Sequence, residues 1–124
     1  MKKWGFLLFL GACAFLTPLH LKAQEPWARI EAEPNPCHMR PGREECTTFV
    51  RWETGGVRRV KVFVTAEGRH KFVEREFGRT LVCETHRCRA PWINLETRYT
   101  FTVVDFSRGD RGRVLATTTV TAVP

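Results

Sequence analysis

Serine is almost missing from this chain of 124 residues, with Ser107 the only one. Aspartate is scarce as well, present only as Asp105 and Asp110, and Tyr99 is the single tyrosine. Helical periodicity is nearly absent, and there is no linker, low-complexity stretch or internal repeat. These shortages bear on function. Serine hydrolysis would require His38, His70 or His86 to reach Ser107, plus a carboxylate to orient the imidazole, and no histidine neighbours that serine in sequence. Glu74 and Glu76 fall on one strand face about 7 Å apart, a separation that glycosidases use. Yet Lys71 and Arg75 lie beside them, and a body this small has no cleft in which to desolvate an acid, so a solvated face is the better description. The inventory predicts no enzyme, no cofactor and no catalytic residue.

What is present begins with a leader. Lys2 and Lys3 form a basic start, positions 4–21 are apolar apart from Thr17 and His20, and small Ala23 precedes Gln24. Pro18 breaks the run, which is short for a bilayer span of about 20 residues. Residues 1–23 therefore read as a cleaved secretory signal. An alternative lies within it: Leu10-Gly11-Ala12-Cys13 resembles a bacterial lipobox, in which Cys13 would be lipidated and become the new N-terminus. Either cut predicts a secreted, periplasmic or cell-surface protein with no membrane span in its mature form. Lys2, Lys3 and Lys22 leave with the leader, taking three of the formal +7 and leaving +4. That is mildly basic, suited to acidic partners but too little to argue for nucleic acid.

Outside the leader stand Cys37, Cys46, Cys83 and Cys88, an even number for an oxidising compartment. Short separations favour Cys37–Cys46 and Cys83–Cys88, although a crossed pairing stays open. The competing use is a metal site built from Cys83-x-x-His86-x-Cys88 and Cys37-His38. Export and the lack of a zinc-finger spacing argue against it, and no metal is expected.

Period-two patterns recur through the remainder, bounded by turn residues. Strands are expected over 28–33, 47–53, 60–65, 70–77, 79–83, 97–106 and 113–123, with Thr48, Val50 and Trp52 on one face of the second. Seven short β runs with turn signals every 8–12 residues predict an all-β, seven-stranded antiparallel β-sandwich over residues 27–123, with a small closed barrel as second choice.

Particular residues sharpen that expectation. Ile93-x-Leu95-x-Thr97-x-Tyr99-Thr100-Phe101-Thr102-Val103 resembles the stretch entering the sixth strand of fibronectin type III domains, and Trp52 is placed like the core tryptophan of their second strand. Pro34-Asn35-Pro36-Cys37, Ala90-Pro91-Trp92-Ile93 and Leu115-Ala116-Thr117 resemble small exported bacterial sandwiches of this fibronectin type III or immunoglobulin-like kind. The resemblance implies that Tyr99 makes a corner, its hydroxyl bonded to nearby backbone, and that Trp52 and Trp92 are core or corner-sealing residues. Leu95 stands where many relatives have proline, and the four cysteines are a further departure. These are fold motifs without a catalytic residue.

In such a topology the loop over 54–58 and the loop over 107–112 share one end, gathering Arg58, Arg59, Arg108, Arg111 and Arg113. Guanidiniums so gathered can grip carboxylate, sulfate or phosphate, and solubilising charge is the plainer alternative. Arg40, Arg43, Arg87 and Arg89 are expected with the cysteine loops at the opposite end. Trp27, at the start of the domain, is the candidate for stacking on a sugar. Arg108-Gly109-Asp110 spells the tripeptide that fibronectin's integrin-binding repeat carries in the same loop, although Gly-Asp is also a common turn pair. The expected function is a non-catalytic exported accessory or recognition module, its partner unknown. Two alternatives are polyanion or carbohydrate binding through the arginine loops, with cell-surface polysaccharide as partner, and assembly with another exported protein through the threonine-rich final strand.

Overall fold

The computed structural model describes residues 25–68, 72–77, 83–84 and 86–124. The expected leader over 1–23, with Cys13, lies outside the described residues, as do His70 and positions 79–82. Ten strands and no helix occur among the described residues: β1 (Trp27–Glu33), β2 (Cys37–His38), β3 (Cys46–Gly55), β4 (Val60–Gly68), β5 (Phe72–Glu76), β6 (Cys83–Glu84), β7 (Arg87–Ile93), β8 (Thr97–Asp105), β9 (Arg113–Val120) and β10 (Ala122–Val123). They form three sheets. One is four-stranded and antiparallel in the order β1-β3-β7-β6, a second is four-stranded and antiparallel in the order β5-β4-β8-β9, and β10 pairs in parallel with β2. The all-β class and the antiparallel pairing are thus as expected; the count of seven strands in two sheets is not.

Alternation explains the two large sheets. In β8, Tyr99, Phe101 and Val103 are buried while Arg98, Thr100 and Thr102 face outward, and in β4 buried Val62 and Val64 flank Phe63. In β3, Thr48 and Val50 are fully buried and Trp52 packs on the core. The inward sets of both sheets meet in one core, with Ile30, Val50 and Ile93 from one layer and Val62, Phe101, Val103 and Val120 from the other. Phe101 is 0% exposed, with Phe77 edge-on at 4.9 Å and Trp92 stacked at 6.1 Å. Burying a ring of this size contributes about 1.5–3 kcal/mol.

Two further expectations need correcting. The segment 87–93 forms a full strand that Pro91 and the flanking arginines concealed. The proline is accommodated because pairing with β3 shifts register between Cys46 and Thr48, so Pro91 sits at the irregularity, where a missing N–H costs no ladder bond. Finally, the closing run is two strands. After Val120 the chain leaves β8, and Ala122–Val123 joins Cys37–His38 instead.

That departure matters for assembly. The Cys37 and Met39 amides donate to the carbonyls of Thr121 (2.8 Å) and Val123 (2.9 Å), and the Asn35 side chain donates to Thr119 O (2.8 Å). The far part of the final run is therefore occupied within the chain, and β9 also lies against β1.

Candidate anion-recognition site

Antiparallel pairing places the site. Val60 opposes Asp105, and Asp105 opposes Arg113, so the loop from β3 to β4 (56–59) and the loop from β8 to β9 (106–112) emerge together. Three hydrogen bonds join them. The Phe106 amide donates to Arg59 O (2.8 Å), and the Arg58 and Arg59 amides both donate to Ser107 Oγ, at 2.7 and 3.0 Å. Asp105, only 7% exposed, accepts the Ser107 amide at 2.8 Å. Hydrogen bonds from the Ser107 side chain and amide hold the Asp105 carboxyl below the usual carboxylate range, with smaller help from Arg108 and Arg113. The only serine is thus a staple between two loops. Its oxygen accepts two amides from the neighbouring loop, which joins the two segments.

The staple fixes where the arginines are. Arg58, Arg108, Arg111 and Arg113 are exposed, and none pairs with a carboxylate among the described residues. Arg59 lies 3.7 Å from Asp110 and 5.7 Å above the Phe106 ring, which Lys61 also approaches at 5.8 Å. Gly112 makes this packing possible, since a Cβ there would overlap Val104 and Phe106. Five guanidiniums therefore share one end, and Asp110 is the exposed carboxylate among them. Gly109, at φ 130°, forms the tip between Arg108 and Asp110. With Arg59 beside it, that aspartate belongs to an ion pair.

Trp27 joins the same end. It opposes Gly55 across the β1–β3 pair, and the indole lies over that glycine so closely that a Cβ would overlap it. Trp27 is 40% exposed. Trp52 and Trp92 are different. Trp52 meets Phe77 and His86 edge-on, each at 6.2 Å, and Trp92 lies 5.2 Å from Tyr99. The Tyr99 hydroxyl donates to Trp92 O (3.1 Å) and accepts the Asn94 amide (3.3 Å); burial pushes its pKa up.

At the far end, Cys37 and Cys46 are disulfide-bonded. Inside the loop they close, Arg40-Pro41-Gly42-Arg43 makes a tight turn, with the Arg43 amide on Arg40 O (3.1 Å) and Gly42 at φ 77°. Arg40 and Arg43 are exposed there, and His38 is exposed beside them. Cys88 is also disulfide-bonded, and in the backbone register it faces Cys83. The expected grouping of both cysteine loops at this end does not hold. The β6–β7 turn abuts Trp52 instead, whose amide donates to His86 O (3.0 Å). Arg87 and Arg89 consequently lie along the outer face of the first sheet, Arg87 with its guanidinium 4.5 Å above Phe49. Glu76 reaches Lys61 at 4.0 Å, and Glu74 is exposed.

Sequence reasoning missed the Ser107 staple and the packing of Phe106 under Gly112. The Ser107 bonds span 48 and 49 residues, so no local pattern announces them.

No family model matches the chain, and no solved structure matches it. The Kunitz-type serine protease inhibitor homolog β-bungarotoxin B5 chain of Bungarus multicinctus is 33% identical over 66 residues, covering 45% of this chain and 80% of that protein. Over that stretch the chain belongs with the Kunitz-type serine protease inhibitor homologues. More than half of this chain lies outside it.

Proposed function

We propose that this protein is an exported, non-catalytic recognition module, built as a fibronectin type III- or immunoglobulin-like sandwich, that binds an anionic partner through its arginine-rich end. The observation that carries this reading is the Ser107 staple: it holds loops 56–59 and 106–112 as one body, so their four arginines, with Arg113 at the start of β9, are presented together rather than on independent loops. Pre-ordering of that kind lowers the entropy lost on binding. Among the described residues Asp110 is the carboxylate within ion-pair reach of these arginines, through Arg59, and Asp105 is largely buried. The Tyr99–Trp92 contact and the core position of Trp52 support the sandwich assignment. The leader over 1–23 and the disulfides support export. No helix among the described residues is long and apolar enough to cross a membrane.

Binding to an anionic polysaccharide column tests the reading. Retention should fall steeply as salt rises, because exposed charges are screened over about 8–10 Å at physiological ionic strength. The double variant Arg58→Ala/Arg111→Ala should elute at markedly lower salt while melting at the wild-type temperature. Unchanged elution of that variant would sink the assignment.

A second reading rests on the sequence relative, whose name is that of a serine protease inhibitor homolog. The disulfide-closed loop presents exposed Arg40 and Arg43, side chains that a trypsin-like specificity pocket accepts. Titration of trypsin with the protein decides it: inhibition lost on Arg40→Ala or Arg43→Ala supports inhibition, and full protease activity at micromolar protein removes it.

A further inference from the structure

We infer that Trp27 and the stapled arginine loops form one composite site for an acidic polysaccharide, with the indole stacking on a sugar ring while the guanidiniums take its carboxylates or sulfates; this rests on the anion-binding reading above. Three observations meet here. Trp27 is a large apolar residue left 40% exposed and stands outside the core cluster against which Trp52 and Trp92 pack. It has a built seat, because Gly55 leaves open the space that the ring occupies and any larger residue would evict it. That seat is three residues from Arg58, whose amide is fastened to Ser107 in the other arginine loop. Arg29 stands two residues from Trp27 on the same face of β1, held to Glu53 only loosely, at 3.9 Å.

The chemistry selects the ligand class. The C–H face of a pyranose is apolar and weakly positive, matching the negative face of an indole, while its acidic substituents point outward from the ring edge. A bidentate guanidinium suits a carboxylate or sulfate at that edge. Single-stranded nucleic acid is less well matched, because such sites stack successive bases on several aromatics. Trp27 is the single exposed tryptophan among the described residues.

The test compares three probes on the full chain by calorimetry: oligogalacturonate, inorganic polyphosphate and oligodeoxythymidylate. Trp27→Ala should weaken oligogalacturonate binding about tenfold, the scale of one stacking contact, and leave polyphosphate within about twofold. Gly55→Ala, which keeps the tryptophan but displaces it, should reproduce the selective loss. Arg58→Ala/Arg111→Ala should weaken both anions. If Trp27→Ala and Gly55→Ala affect neither anion, or both equally, the composite site is wrong while anion binding stands. If neither anion binds wild-type protein, both readings fall together. Tighter binding of oligodeoxythymidylate than of oligogalacturonate overturns the assignment to polysaccharide.

Discussion

At one end of the molecule, the segment entering β3 is closed by the Cys37–Cys46 bond and by amides of Cys37 and Met39 on the carbonyls of Thr121 and Val123. At the other end, loops 56–59 and 106–112 are joined through the hydroxyl of Ser107 and the Phe106 amide. Both devices order polar loops that carry exposed arginines. They differ in what undoes them. A covalent loop yields to reductant and ignores pH, whereas the staple depends on the Asp105 carboxylate that accepts the Ser107 amide. The comparison teaches that two similar surfaces on one scaffold can be held ready by bonds with separate sensitivities.

The sharpest attempt to break that comparison removes what both ends share. Phe101→Ala opens the common core, where the ring is fully buried, and should cost about 3–5 kcal/mol in denaturant unfolding. Both ends should lose amide protection together; loss at one alone would mean the two layers do not share a core. Cys37→Ala/Cys46→Ala should cost less, about 2–3 kcal/mol from a short closed loop. Hydrogen exchange should then quicken at Met39 and leave the amides of Arg58 and Arg59 unchanged. Tyr99→Phe strips a part-buried hydroxyl from Asn94 N and Trp92 O and should cost about 1–2 kcal/mol.

Ser107→Ala should cost about 1 kcal/mol and quicken exchange at Arg58 and Arg59 while sparing Met39, the mirror of the cysteine variant. The smallest effect is on acid stability. Because the folded carboxyl of Asp105 titrates below its unfolded value near 3.9, its contribution is present above that pH and is lost as pH falls through the folded value. The melting-temperature gap between wild type and Asp105→Ala should therefore narrow below about pH 4. A gap that stays constant down to pH 2 would show that the carboxylate's charge is irrelevant to the staple.

The strands with clean alternation are legible from residue spacing alone. Thr48, Val50 and Trp52 point inward as their spacing requires, and so do Val62 and Val64, because a strand has only two faces. Nearness in sequence likewise favours the Cys37–Cys46 bond. The strand Arg87–Ile93 is not legible in that way, because Pro91 and three arginine or cysteine neighbours look like a turn until the register shift opposite them is known. Nor does local sequence place the Cys88 hairpin, which packs against Trp52 and separates Arg87 and Arg89 from Arg40 and Arg43. Of the candidate site, the residue types and the two loops are apparent in the sequence, but their fastening is not.

The sequence by itself determined an all-β body, since alternating β-branched and aromatic residues bury one face only when the backbone is extended. It also determined that arginines would crowd certain loops, with one serine and two aspartates in the whole chain. Tertiary structure decided the remainder. It turned the only serine into a joint between segments 48 and 49 residues apart, and it sent the last strand to Cys37–His38. It also seated Trp27 over Gly55. Each of these depends on which distant backbone groups meet, and such meetings are set by the packing of the whole chain rather than by any local pattern.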